Sequence, residues 1–426
     1  MHRYRFSSIL TINFNHFMNS MGKILILILL WISSLEAENR SYVLLVSFDG
    51  FRADYLDWYD TPHFDRFAEQ GVKADGLKPV FVSKTFPNHY SIATGMFVEN
   101  HGIIANYFYD TKLDEYFTLS DRSKVEDSRF YGGEPIWVTV EKQGVKTASY
   151  FWAGTEAPVG GVWLSIWKRY DHDFPFSARI DSVAKWFSLP KEKRPHLIML
   201  YFHEPDDAGH RYGPKSAEAE AMVDSMDLIM GNIMKTMESL EIFPNLNIIA
   251  VADHGMAAIS PERTIDLSDY VNLLGIKQEG SGPFAMLYGE DDQKLNTIVK
   301  KLKKVPHMSV YKKEDIPERY HYKNHYRIKD VLLVADEGWF ILDKKYHGAD
   351  IFKLKFLQGG THGYDNELRS MHAIFLADGP AFKDGYSRPS LENIHIYPLI
   401  AEILGLTPND KIDGNLDKIR DVLIDQ

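Results

Sequence analysis

The sequence predicts an α/β fold, a mostly parallel sheet with helices on both faces, together with a small α+β insertion. Two observations lead there. Four short, continuous apolar runs, residues 42–48, 196–202, 247–252 and 373–377, have the length of buried strands, and helical stretches alternate with them. Each run also stops at an acidic turn: Asp49-Gly50, Glu204-Pro-Asp206, Asp253-His254 and Asp378-Gly379. Ligands of open α/β sheets bind beyond the carboxyl ends of the strands, so these turns are where chemistry is expected.

Composition narrows the classes. The chain has 426 residues, 45% of them hydrophobic and 25% charged, which is ample for a large core. The formal net charge of −11 argues against nonspecific nucleic-acid binding, because phosphate backbones attract Lys/Arg surfaces. Cysteine is absent, which excludes a disulfide framework, thiolate zinc sites, a cysteine nucleophile and a lipobox anchor. A transition metal would have to use carboxylates and some of the 17 histidines.

Along the chain, residues 24–32 form an apolar stretch preceded by Met21-Gly-Lys23 and followed by small residues ending at Ala37. This reads as a signal peptide over residues 1–37, with Met21 as an alternative start. It is too short for a transmembrane helix, which needs about 20 apolar residues. The expected location is therefore exported, periplasmic or secreted, with no transmembrane anchor in the mature chain. Residues 38–426 are expected to be one catalytic domain. Within it, residues 216–240 carry Met222, Met226, Met230, Met234 and Met237 at helical spacing, a packing stripe, with Asp224 and Asp227 read as solvated. Residues 293–305 read as an amphipathic surface helix with a lysine-rich outer face. From about 257 to 346 the alternation becomes irregular, with strand-like residues 284–288 and 331–334, and this is the expected insertion.

Three carboxylates and three imidazoles gather at strand ends and in Gly-rich loops: Asp49, Asp206, His210, Asp253, His254 and His362. Oxygen and nitrogen donors of this kind suit Zn²⁺. Asp206 and His210 are four apart and face the same way on a helical turn. Asp253 and His254 are adjacent, so they can converge only if the strand has ended before them.

A second group is Ser83-Lys-Thr-Phe-Pro-Asn-His-Tyr-Ser91. Pro87 favours the first turn of a helix, which puts Thr85 at its N-terminus. There it either caps the helix or meets an anion such as phosphate. Asn106, in Asn100-His-Gly-Ile-Ile-Ala-Asn106, either forms a turn or donates an amide hydrogen bond to a developing oxyanion.

These motifs, with Ser47-Phe-Asp-Gly-Phe-Arg52, Gly133-Glu-Pro-Ile-Trp137, Tyr150-Phe-Trp-Ala-Gly154, Glu204-Pro-Asp-Asp-Ala-Gly-His-Arg-Tyr-Gly-Pro214, Ala252-Asp-His-Gly-Met256 and Thr361-His-Gly363, closely resemble the nucleotide pyrophosphatase/phosphodiesterase family of the alkaline phosphatase superfamily. The resemblance runs from Ser41 to about residue 420 and is nearest to the compact, bacterial-type form. It implies an alkaline phosphatase-like fold and two Zn²⁺ per chain. One ion would be held by Asp49, Asp253, His254 and the nucleophile Thr85, the other by Asp206, His210 and His362. It further implies a covalent Thr85 intermediate, Asn106 holding a non-bridging oxygen, and a base stacked between Phe86 and Tyr170. The expected partner is a small nucleotide or phosphodiester substrate, with no role as a nucleic-acid scaffold. Ala153 departs from the Trp-Pro-Gly of many relatives. Two other readings compete. One is a choline-type glycerophosphodiesterase or lysophospholipase C with Trp152 and Trp163 in a cationic cage. The other is a catalytically silent binding protein on the same fold.

Overall fold

The structure, a computed structural model, describes residues 40–346, 348 and 354–425. The proposed signal peptide and the alternative start at Met21 lie outside the described residues. The central sheet has eight strands in the order Tyr386–Arg388, Val72–Ala74, Phe375–Asp378, Leu246–Val251, Tyr42–Phe48, Leu197–Phe202, Thr147–Tyr150 and Ile166–Lys168. Every neighbouring pair is parallel except the two made by Phe375–Asp378, which runs against Val72–Ala74 and Leu246–Val251. The fold is thus α/β, and the run expected at 373–377 forms its one reversed strand.

The three innermost apolar runs share a cause. All seven residues of Tyr42–Phe48 are buried, as are all six of Leu246–Val251. Strands covered on both faces lose the alternation of apolar and polar residues, because neither face meets water. Each fully buried Val or Leu there contributes roughly 1.5–3 kcal/mol, so a charge at Leu45 would break the sheet at its centre. Two groups of helices flank it. Pro62–Gln70, Phe176–Phe187 and Ala217–Glu238 form one; Thr85–Thr94, Ile136–Lys142 and Ile396–Ile403 form the other.

The methionine stripe is packing: Met226, Met230 and Met237 are buried on the long helix Ala217–Glu238. Asp224 is exposed. Asp227, however, is not solvated. Its side chain is 3% exposed and accepts from the backbone N–H of His63 at 3.0 Å and of Phe64 at 2.9 Å. The helix Pro62–Gln70 has no side-chain cap of its own at Thr61, and Asp227 satisfies its free donors from the neighbouring helix. The lysine-rich helix spans Asp292–Leu302, burying Leu295, Ile298, Val299 and Leu302 and exposing Lys300 and Lys301. It belongs to the α+β insertion, whose four-stranded antiparallel sheet has the order Lys277–Glu279, Phe284–Tyr288, Val331–Ala335 and Met308–Lys312.

Candidate active site

The carboxyl ends of the three central strands bring five of the donor residues together, and the strand Gly359–Thr361 of a separate two-stranded sheet adds the sixth, His362. Asp49 follows the first strand directly, and its N–H donates to the carbonyl of Phe202 at 2.9 Å. Gly50 has φ +68°, and a Cβ there would lie 2.9 Å from Asp206; only glycine lets the two strand ends approach so closely. Leu246–Val251 stops two residues before Asp253, so Asp253 and His254 have left the strand alternation. His254 Nε2 lies 3.0 Å from Asp253 Oδ2 and 3.4 Å from Asp49 Oδ1. Asp206 and His210 share one face of the helix Asp206–Tyr212, with His210 Nε2 3.4 Å from Asp206 Oδ2. His362 follows the strand Gly359–Thr361 and brings Nε2 to 3.7 Å from Asp206 Oδ1. Asp49, Asp253 and His254 make one potential cation cluster, and Asp206, His210 and His362 a second.

Three imidazoles are oriented in the same way. Nδ1 of His254 donates to Gly255 O at 2.9 Å, Nδ1 of His210 to Gly360 O at 2.9 Å, and Nδ1 of His362 to Ser83 O at 2.7 Å. A carbonyl can only accept, so Nδ1 carries a proton in each ring, and Nε2 is the nitrogen turned toward the cluster. Three buried carboxylate oxygens, Asp49 Oδ1, Asp206 Oδ1 and Asp253 Oδ2, have no hydrogen-bond donor. Burial, reinforced by the Asp253 and Asp206 carboxylates, pushes Asp49 well above the usual carboxylate range. Burial would also raise Asp253, but the adjoining His254 and His89 outweigh it and hold it low. Unsatisfied buried acceptors and converging lone pairs are costly without a cation, and the donor set fits two Zn²⁺-class ions.

Thr85 opens the buried helix Thr85–Thr94. Lys84, not Thr85, occupies the cap position, so Thr85 is free for another role. Asn88 pins the preceding loop by accepting from Val80 N–H at 2.7 Å and donating to the carbonyls of Val82 and Lys84, each at 2.9 Å. Thr85 Oγ1 then sits 3.3 Å from His254 Nε2. Asn106 Oδ1 accepts from Phe86 N–H at 3.0 Å. Since an N–H can only donate, this sets the amide orientation and leaves Nδ2 as the free donor.

Thr85, Phe86 and Tyr170 all line one cavity of about 340 Å³, whose walls also include Phe151, Trp152, Tyr201, Arg122 and Glu156. Trp152 is buried and its Nε1 donates to His89 O at 3.1 Å. Trp163 is not in this wall. It is 44% exposed and stacks on Trp167 with ring centroids 5.0 Å apart, so the cage expected from Trp152 and Trp163 does not form. Arg122 pairs with Glu156 and lies over the Tyr170 ring at 5.5 Å.

Two site residues escaped sequence reasoning. Tyr201 OH donates to Asp49 Oδ2 at 2.6 Å. His89 bridges Ser47 Oγ at 2.8 Å and the Thr85 carbonyl at 3.0 Å, and lies 3.4 Å from Asp253 Oδ2. The only available signal was that His89 stands one helical turn beyond Thr85.

A profile described as type I phosphodiesterase/nucleotide pyrophosphatase matches residues 43–365. A venom phosphodiesterase of Naja atra is 40% identical over 399 residues, covering 90% of this chain and 47% of that protein. The chain thus spans about half the length of the venom enzymes it matches. A mouse bis(5'-adenosyl)-triphosphatase is 39% identical over 389 residues, covering 90% of this chain and 82% of that protein. Among solved structures, an inactive murine ectonucleotide pyrophosphatase/phosphodiesterase 5 in complex with AMP aligns with a TM-score of 0.84 at 35% identity, covering 90% of this chain and 100% of that one. The chain belongs to the type I phosphodiesterase/nucleotide pyrophosphatase family.

Proposed function

We propose that this protein is a two-zinc phosphodiesterase and nucleotide pyrophosphatase that cleaves nucleotide diester or anhydride bonds through a covalent Thr85 intermediate and releases nucleoside 5'-monophosphates. The observation that carries the reading is the position of Thr85 Oγ1, 3.3 Å from His254 Nε2 at the edge of the donor cluster and in the wall of the aromatic cavity. Asp49, Asp253, His254 and Thr85 would hold one ion, and Asp206, His210 and His362 the other. Bound there, the pair supplies Lewis acidity that lowers the pKa of a coordinated hydroxyl and offsets charge on phosphoryl oxygens.

The chain's own groups do the rest. Thr85 Oγ1 attacks phosphorus; the new P–O bond forms as the bond to the leaving oxygen breaks in line. Asn106 Nδ2 and the Thr85 N–H hold a non-bridging oxygen, as oxyanion donors do. Phe86 and Tyr170 stack on the base. Water then displaces Thr85 from the phosphoryl group, so two inversions retain configuration at phosphorus.

The wall composition favours a nucleotide over a choline ester, because Arg122 sets a cation in the wall and Trp163 stands outside it. The intact donor set speaks against a silent binding protein. Export is part of the proposal, supported by the venom origin of several relatives. Among the described residues no helix is long and apolar enough to cross a membrane.

The test is a substrate panel at equal concentration: bis(5'-adenosyl) triphosphate, a dinucleotide and glycerophosphocholine. Release of nucleoside 5'-monophosphate from the first two, well above release of phosphocholine or choline from the third, is expected. A preference for glycerophosphocholine overturns the nucleotide reading, and no turnover of any of them overturns the enzyme reading.

A further inference from the structure

A third group of metal-type donors stands outside the two clusters. One nitrogen each of His172 and His203 and one oxygen of Asp207 lie within 4.8 Å of one another. The three come from different places: His172 from the loop after the edge strand Ile166–Lys168, His203 from the end of Leu197–Phe202, and Asp207 from the first turn of Asp206–Tyr212. The rings of His172 and His203 stack at 3.9 Å with 24° between their planes. His172 Nε2 lies 3.4 Å from Asp207 Oδ2.

Several features make these donors available. His203 Nδ1 is buried without a hydrogen-bond partner. Arg179 spends its guanidinium on the carbonyls of Tyr201, Phe174 and His172. No Lys or Arg forms a salt bridge with Asp207 among the described residues. Among the described residues the ion-pair partner of Asp207 is the His172 imidazole.

We propose that His172, His203 and Asp207 form a third divalent-metal site, for an ion of the Zn²⁺ class, at the rim of the aromatic cavity. Two imidazoles and one carboxylate are a donor set that such ions accept with a fourth position open. Donors of one zinc sit roughly 3.3 Å apart at bonds of about 2.0–2.1 Å, so the site must contract. The stacked rings must also tilt until their lone pairs converge. His172 is exposed and supplies that movement, whereas His203 and Asp207 are held by the strand end and the helix. The site adjoins the substrate pocket. His172 Nδ1 meets the Tyr170 hydroxyl at 3.1 Å, so an ion on Nε2 orients the ring that holds Tyr170.

The site is separate from the catalytic clusters, and its test reads them separately. Crystals of the full chain grown at low micromolar free Zn²⁺ should show zinc-edge anomalous density bonded to His172, His203 and Asp207. Density at Asp49/Asp253/His254 and Asp206/His210/His362 but not here overturns this proposal and leaves the catalytic reading intact. Density here but not at the clusters does the reverse. In solution, the His172→Ala/His203→Ala double variant should bind one Zn²⁺ equivalent fewer than the wild type by equilibrium dialysis. An unchanged stoichiometry overturns the assignment. Should the double variant melt below the assay temperature, Asp207→Asn, on a half-exposed side chain, gives the same comparison.

Discussion

The Nε2 atoms of His210 and His362 face each other across 3.1 Å, and when both rings are neutral neither has a proton there to donate. Both Nδ1 protons are committed to backbone carbonyls. Protonating His362 instead is disfavoured, since burial and the nearby His254, Lys84 and His210 push it well below the usual imidazole range. Two opposed lone pairs repel, and a cation between them turns that repulsion into coordination.

Metal removal should therefore cost stability as well as activity. Exhaustive chelation should abolish diester hydrolysis and lower Tm, and Zn²⁺ should restore both. A ligand at 1,000 times its Kd stabilises the native state by about 4 kcal/mol, so the shift should be several degrees. His362→Ala and Asp206→Ala should each lose one zinc by elemental analysis, as should Asp253→Ala at the other cluster. Full activity in metal-free protein would contradict the two-zinc reading.

Thr85→Ala should cut turnover by up to about 10⁶-fold, the scale seen when a nucleophile is deleted, while retaining most of its metal. Thr85→Ser keeps a hydroxyl at the same place and should remain measurably active. Mass spectrometry of wild type rapidly quenched during nucleotide turnover should find a nucleotidyl group on Thr85. Near-normal rates for the alanine variant would exclude the covalent route.

Asn106→Ala should lower kcat by about 10²–10³-fold, the usual effect of losing one oxyanion donor, with KM little changed. The check is steady-state kinetics beside a metal assay, because zinc content should stay at the wild-type level. A loss expressed only in KM would reassign Asn106 to ground-state binding.

Phe86→Ala and Tyr170→Ala should raise KM for nucleotides and largely spare a small nitrophenyl diester. Stacking contributes about 1–3 kcal/mol per base contact, which corresponds to roughly 5- to 150-fold. Equal losses on both substrates would mean that these rings only shape the cavity.

Away from the site, Glu279 is 4% exposed, and burial, opposed by Lys329, pushes its carboxyl up to about 7. A folded-state value above the unfolded one means that the native state binds the extra proton between about pH 4.5 and 7. The cost of ionising Glu279 is thus absent at pH 4, grows between about pH 4.5 and 7 and levels off above that at about 3 kcal/mol at most. Glu279→Gln should gain more Tm relative to wild type at pH 8 than at pH 5. A gain independent of pH would show that Glu279 is ionised throughout.

The sequence alone determined the kind of sheet and the chemistry at its edge. Apolar runs of strand length reveal burial because local patterning reports whether a strand meets water, and the acidic turns after them mark the carboxyl ends. Asp206 and His210 share a face by helical geometry alone. Tertiary structure decided what depends on which distant segments meet. Phe375–Asp378 runs antiparallel because of its place between Leu246–Val251 and Val72–Ala74, which no local period encodes. Asp227 looks solvated by spacing, yet a second helix brings its free N–H groups onto it. The Asn106 amide is oriented by Phe86, and Trp163 is drawn to Trp167 and out of the cavity. Tyr201 and His89 join the site through contacts with residues 152 and 42 positions away in the chain. Local sequence encodes the elements and their donor atoms; their convergence is a property of the sheet order, since side chains at different strand ends become neighbours only when those strands are laid side by side.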